Sequence, residues 1–94
     1  LQREDRRAIE TAVAKLCVHG PCLGYPHSSQ VKGERRISLR ELRPTGGRKP
    51  WRCIYARIGD AFVIAALAPE AKKHKTGFQR ALTRAVQRLA EVDS

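Results

Sequence analysis

The stretch WRCIYARIGDAFVIAALA, residues 51–68, constrains the fold of this chain more than any other. Two runs of apolar and aromatic residues meet at Gly59–Asp60, a pair suited to a two-residue hairpin turn. The sequence therefore predicts antiparallel strands over 51–58 and 61–68. In the first run, Trp51, Cys53, Tyr55 and Arg57 alternate with Arg52, Ile54 and Ala56. Trp51, Cys53 and Tyr55 form the larger apolar set and are expected to pack under the helices, which leaves Arg52 on an open face. AFVIAALA is apolar on both faces, so it is expected in the middle of the sheet.

The remaining elements follow from spacing. ISLRELR (37–43) alternates as a further strand, and PTGGRKP (44–50) reads as a turn or loop. Upstream, Ala8, Ile9, Ala12, Val13, Leu16 and Cys17 recur at three- and four-residue intervals and make one helical stripe. Glu4 and Asp5 suit the positive end of that helix's dipole, while Gly20 and Pro21 end it. Residues 20–36 are rich in Gly and Pro and read as loop. From Phe78, the residues Leu82, Ala85, Val86, Leu89 and Val92 form a second helical stripe, with Thr76 as its N-cap. The expected fold is a single α+β domain over residues 1–94, a small antiparallel sheet with helices packed on one face.

No apolar stretch approaches the roughly 20 residues that a membrane helix needs, and no signal-peptide pattern opens the chain, so a cytoplasmic location is expected. Cys17, Cys22 and Cys53 are odd in number and lack a framework spacing. They read as reduced thiols, two of them in the core. Cys17 and Cys22 lie near His19 and His27, but the spacing matches no zinc pattern, and neither metal nor cofactor is expected.

The net charge of +10 is unevenly placed. Residues 31–60 carry nine cations against three acids, whereas residues 1–30 carry four against three. Cations serving solubility alone would be spread; a concentrated excess suits a polyanion, which gains from counterion release. EAKKHKT (70–76) places Lys72, Lys73, His74 and Lys75 between the last strand and the last helix, a region where ligands gather in open sheets. With Arg43, Glu41 and Arg52 on the open face, these residues are expected to frame a concave cationic surface.

The ordered set LRELR, a Gly-rich loop, WRCIYAR, GDAFVIAALA, KKHKTGF and AVQRL resembles the RelE/HigB superfamily of bacterial toxins, in its phage-derived HigB-like branch. The resemblance covers about residues 37–90. It implies helices on one face of a small twisted antiparallel sheet and ribosome-dependent cleavage of messenger RNA. It also implies a cognate antitoxin, usually of the helix-turn-helix type. A strand precedes the first helix in that family. Here it is missing, so the resemblance implies either residues upstream of Leu1 or an open sheet edge. Matched to the family pattern, Glu41 and Arg43 are the acid and arginine of E-L-R, and Arg52 opens the second strand motif. Lys72 and Lys73 are the paired lysines, and Lys75–Thr76 the K-T step. The family's tyrosine on the last helix is matched by Phe78, which exchanges no proton.

The chemistry implied is attack of the 2′-hydroxyl of RNA on the adjacent phosphate. Arg43, Arg52 and Lys73 suit the charge on the phosphorane, and Glu41 or His74 the proton transfers. Arg40, Lys49, Lys72 and Lys75 suit phosphate contacts. Each residue has a plainer use: Glu41 can pair with Arg40, Arg43 or Arg52 across strands, and His74 can be an ordinary surface histidine. Tyr55 belongs in the core. Two other functions fit the same features, a basic RNA- or DNA-binding module without chemistry and a gyrase inhibitor of the ParE type.

Overall fold

The computed structural model describes residues 2–31 and 38–93, and it consists of two α-helices and a four-stranded antiparallel sheet. Helix α1 spans Arg3–His19 and helix α2 Lys75–Asp93. The strands are β1 (Ser28–Gln30), β2 (Arg40–Leu42), β3 (Trp51–Ile58) and β4 (Ala61–Pro69), hydrogen-bonded as a meander in that order. No helix among the described residues is long and apolar enough to cross a membrane. The α+β class is as expected, with one strand more. β1 lies in the segment read as loop, where SSQ has no apolar alternation, and its partner β2 specifies it through the pairs Ser28↔Leu42 and Gln30↔Arg40. The expected strand start at Ile37 and the end of the expected loop, residues 32–36, lie outside the described residues.

The helices do not share a face of the sheet. α1 packs Ala12 and Leu16, flanked by Ile9 and Val13, against Leu42, Cys53, Tyr55 and Phe62. α2 packs Phe78, Ala81, Ala85 and Leu89 against Ile54, Ala56, Ala66 and Ala68 on the opposite side. Both alternating sets of β3 are therefore core, and residues 52–56 form an unbroken buried run. The expectation of helices on one face fails because each stripe finds its own apolar set to cover.

β4 is also not in the middle. Among the described residues it is an edge strand, and β2 and β3 are the interior ones. The alanines of AFVIAALA are not a mark of two-sided burial; they let α2 lie close over β4, where Ala65, Ala66 and Ala68 are buried. On the α1 side, Ile64 and Leu67 remain 43% and 37% exposed.

The hairpin turn forms where expected, with Gly59 at φ 61° and Ile58 paired to Ala61. The register then shifts between Ile54 and Tyr55: Tyr55 pairs Ile64, but Ile54 pairs Ala66, so one residue of β4 bulges out. Because side chains alternate, one extra residue swaps the faces of everything beyond it. Ala68 and, past the strand, Glu70 consequently fall on the side of Arg52, and Leu67 falls on the other.

Two smaller expectations change. α2 begins at Lys75, one residue before the expected cap Thr76; the imidazole of His74 caps it by accepting a 2.9 Å hydrogen bond at Nδ1 from the Gly77 N–H. A Cβ at Gly77 would stand 2.7 Å from that Nδ1 and 2.9 Å from Pro69 Cγ, so glycine is needed there. Cys17, expected in the α1 stripe, and Cys22 are exposed, and only Cys53 is buried. Tyr55 is core as expected, with its hydroxyl in a 2.6 Å hydrogen bond to Ser28 Oγ.

Candidate functional site

Glu41 is the centre of the charged cluster. β2 holds it opposite Ile54, so it points to the α2 side, where α2 lies mainly over β4 and does not extend across β2. Its Oε1 accepts from Ser29 Oγ at 3.0 Å and from Arg43 NH1 at 2.9 Å, and lies 3.9 Å from Arg52 Nε. Oε2 joins no hydrogen bond or ion pair with the described residues. Among the described residues, one carboxylate oxygen is thus anchored and the other has no partner.

Arg43 follows β2 and is held on several sides. Its backbone N–H donates to His27 O at 2.7 Å, its Nε to Pro26 O at 3.1 Å, and its guanidinium carbon sits 5.2 Å from the centroid of the Tyr25 ring. The turn Pro44–Gly47 makes room for it. Gly47 has φ 91°, and a Cβ there would lie 2.7 Å from Arg43 NH2.

Arg52 is not on an open face. It is 3% exposed, with NH1 donating to the carbonyls of Lys49 (2.7 Å) and Trp51 (2.9 Å) and NH2 to Glu70 Oε2 at 2.8 Å. Burial pushes its guanidinium below the ordinary range, and Arg43 pushes the same way, while Glu41 and Glu70 oppose them. It stays charged because an arginine is so basic to begin with. The residue the sequence reading missed is Glu70, which satisfies Arg52. A hairpin without a bulge would set Leu67 opposite Arg52 and turn Glu70 to the other face, so only the bulge brings the pair together.

Glu41, Arg43, Gly47, Arg52, Glu70, Ala71 and Lys72 line one open cleft of about 300 Å³. Four of the expected site residues, Glu41, Arg43, Arg52 and Lys72, are brought together. Lys73, His74 and Lys75 do not line the cleft; they are exposed on the turn that leads from Glu70 into α2, closed by hydrogen bonds from Lys73 N and His74 N to Glu70 O. The cap leaves the Nε2 of a neutral His74 carrying the proton, which makes that side chain a donor and not the base. Arg40 lies on the α1 side, opposite Tyr55, with Nε donating to Ser28 Oγ at 3.0 Å, and it borders a different cleft with Arg57 and Phe62. Lys49 pairs with Asp5 of α1 at 3.3 Å and lends only its carbonyl to Arg52. Phe78 is 7% exposed in the α2 core, so a side chain there faces the sheet and not the cleft.

With Arg43, Arg52 and Lys72 against Glu41 and Glu70, the cleft carries a small positive excess, and the further lysines extend it along the turn. Such a surface can hold a phosphodiester between Arg43 and Lys72 while Oε2 of Glu41 accepts a hydrogen bond or a proton from a neighbouring hydroxyl. Among the described residues no group of three or more His, Cys, Asp or Glu side chains is placed to hold a metal ion. No family model, curated protein or solved structure matches the chain.

Proposed function

We propose that this protein is the toxin of a type II toxin–antitoxin pair, an endoribonuclease that cuts messenger RNA on the ribosome and is held in check by a helix-turn-helix antitoxin. The observation that carries this reading is Glu41, with Oε1 anchored by Ser29 and Arg43 and Oε2 without a partner among the described residues, in an open cleft that Arg43 and Lys72 also line. The 2′-hydroxyl attacks the adjacent phosphorus and passes its proton to Glu41 Oε2. The bond to the 5′-oxygen breaks, leaving a 2′,3′-cyclic phosphate and a 5′-hydroxyl; water in the open cleft supplies that hydroxyl's proton and takes up the one held by Glu41. Arg43 and Lys72 neutralise the phosphorane. Arg52 acts through Glu41 as a positioning residue and leaves the phosphate to the more accessible cations. Lys73 and Lys75 guide the strand electrostatically.

A second reading, a basic module that binds RNA without cutting it, is favoured by Phe78, whose core position supplies no proton. Ribosomes programmed with a defined messenger separate the two when 5′ ends are mapped by primer extension. We expect new ends with the parent protein, and cleavage slowed by about a hundredfold or more in Glu41→Gln. Messenger that is bound but stays intact would replace the nuclease with the binding module. Absence of both binding and cleavage would remove both.

A further inference from the structure

Tyr25 plays no part in the reaction above, yet its position calls for a function. All five aromatic side chains of the chain lie among the described residues, and Tyr25 alone is exposed, at 76%. An aromatic ring in water leaves its apolar area unused unless something covers it. Nor does the ring hang from a slack loop. The His27 and Ser28 N–H groups both donate to Gly24 O, at 3.0 and 3.1 Å, closing a turn with Tyr25 at its crest. Arg43 fastens that turn to the sheet through His27 O and Pro26 O. Its guanidinium then lies over the ring, 5.2 Å from the centroid. The same Arg43 lines the cleft with Glu41 and Lys72.

We propose that Tyr25 is a stacking platform for one unpaired nucleobase of the RNA strand whose phosphate is held by Arg43, so that the site selects single-stranded over base-paired RNA. This rests on the ribonuclease reading and deepens it by naming the form of substrate. The physical basis is general. Single-stranded RNA is recognised by splayed bases stacked on aromatic rings or guanidinium planes, and a base within a duplex has no face to offer. A guanidinium over one part of the ring adds cation–π attraction there, and the remaining exposed area is left for the base. Arg43 would thus touch the phosphate and buttress the ring that holds the neighbouring base.

The test uses the full chain and two RNA probes of equal length, a single strand carrying one 2-aminopurine and a blunt duplex, with Tyr25→Ala and Tyr25→Phe compared to the parent. Binding by the parent is expected to quench the 2-aminopurine. Tyr25→Ala is expected to lose the quench and to bind the single strand roughly tenfold more weakly. Tyr25→Phe should keep both, and duplex affinity should not change. The salt dependence of Tyr25→Ala should match the parent, since no phosphate contact is removed, whereas Arg43→Ala should lower the slope by about one. Unchanged single-strand affinity in Tyr25→Ala overturns the platform and leaves the nuclease standing. Equal weakening toward strand and duplex also overturns it, because Tyr25 would then act only by holding Arg43. A parent that binds neither RNA overturns the platform as well, while the nuclease reading stands or falls on the 5′ ends mapped on programmed ribosomes.

Discussion

The two faces of the sheet are bare in different places, and the contrast shows where to look for function. On the α1 side the helix covers Leu42, Cys53 and Tyr55 but meets the outer strand only at Phe62, leaving Ile64 and Leu67 of β4 partly in water. On the α2 side the helix covers β4 and leaves the β2 margin, where Ser29, Glu41, Arg43 and Arg52 interlock. The first margin is a strip of partly exposed apolar side chains. The second is a set of charges in which each partner fixes the next. Neither margin is covered by its helix, and among the described residues the charged one holds its polar groups in fixed directions.

The largest test of that contrast is the buried guanidinium. Arg52→Ala leaves Glu70 and Glu41 without their shared cation and should cost about 3 kcal/mol in urea unfolding. Arg43→Ala, at the accessible end of the same network, should cost about 1 kcal/mol or less. Equal losses would mean that Arg43 is as structural as Arg52. Next in size is the covered side: Tyr55→Phe removes the hydrogen bond to Ser28 and should destabilise by about 1 kcal/mol.

The thiol on that side gives a pH signature. Burial pushes Cys53 from 9.0 up to about 11. The unfolded chain therefore loses this proton first, and the stabilisation, complete below pH 9.0, is lost as pH rises through about 11. Unfolding curves between these values should show that decline in the parent and a flatter response in Cys53→Ala. At neutral pH a thiol reagent should label the exposed Cys17 and Cys22 and reach Cys53 only on unfolding. The smallest effect belongs to the apolar strip: Ile64→Lys should change stability by no more than about 0.5 kcal/mol. A larger loss would show that β4 is covered in solution.

Much of the fold was legible in the chain. The apolar repeats of both helices and the Gly59–Asp60 hairpin are local properties that survive into the structure, and the swing of charge toward residues 31–60 is additive and needs no fold. The charged site was half legible. Glu41, Arg43, Arg52 and Lys72 could be picked out as cations and acids near strand ends, but Glu70 could not, since its face depends on a bulge that no single residue announces. Tyr25 was passed over because loop position is silent about exposure. Arg52 was read as open because alternation sorts a strand into two faces without saying that both will be covered.

The sequence by itself determined which segments become the two helices and the strands β2, β3 and β4, where the hairpin turns and how strongly basic the product is. These depend on spacing and composition over a few neighbouring residues. Only the tertiary structure decided that the helices lie on opposite faces, that β4 stands at the edge and that Glu70 meets Arg52. Those outcomes depend on a one-residue register shift and on competition between two stripes for two apolar surfaces. Both are settled by packing over the whole domain at once.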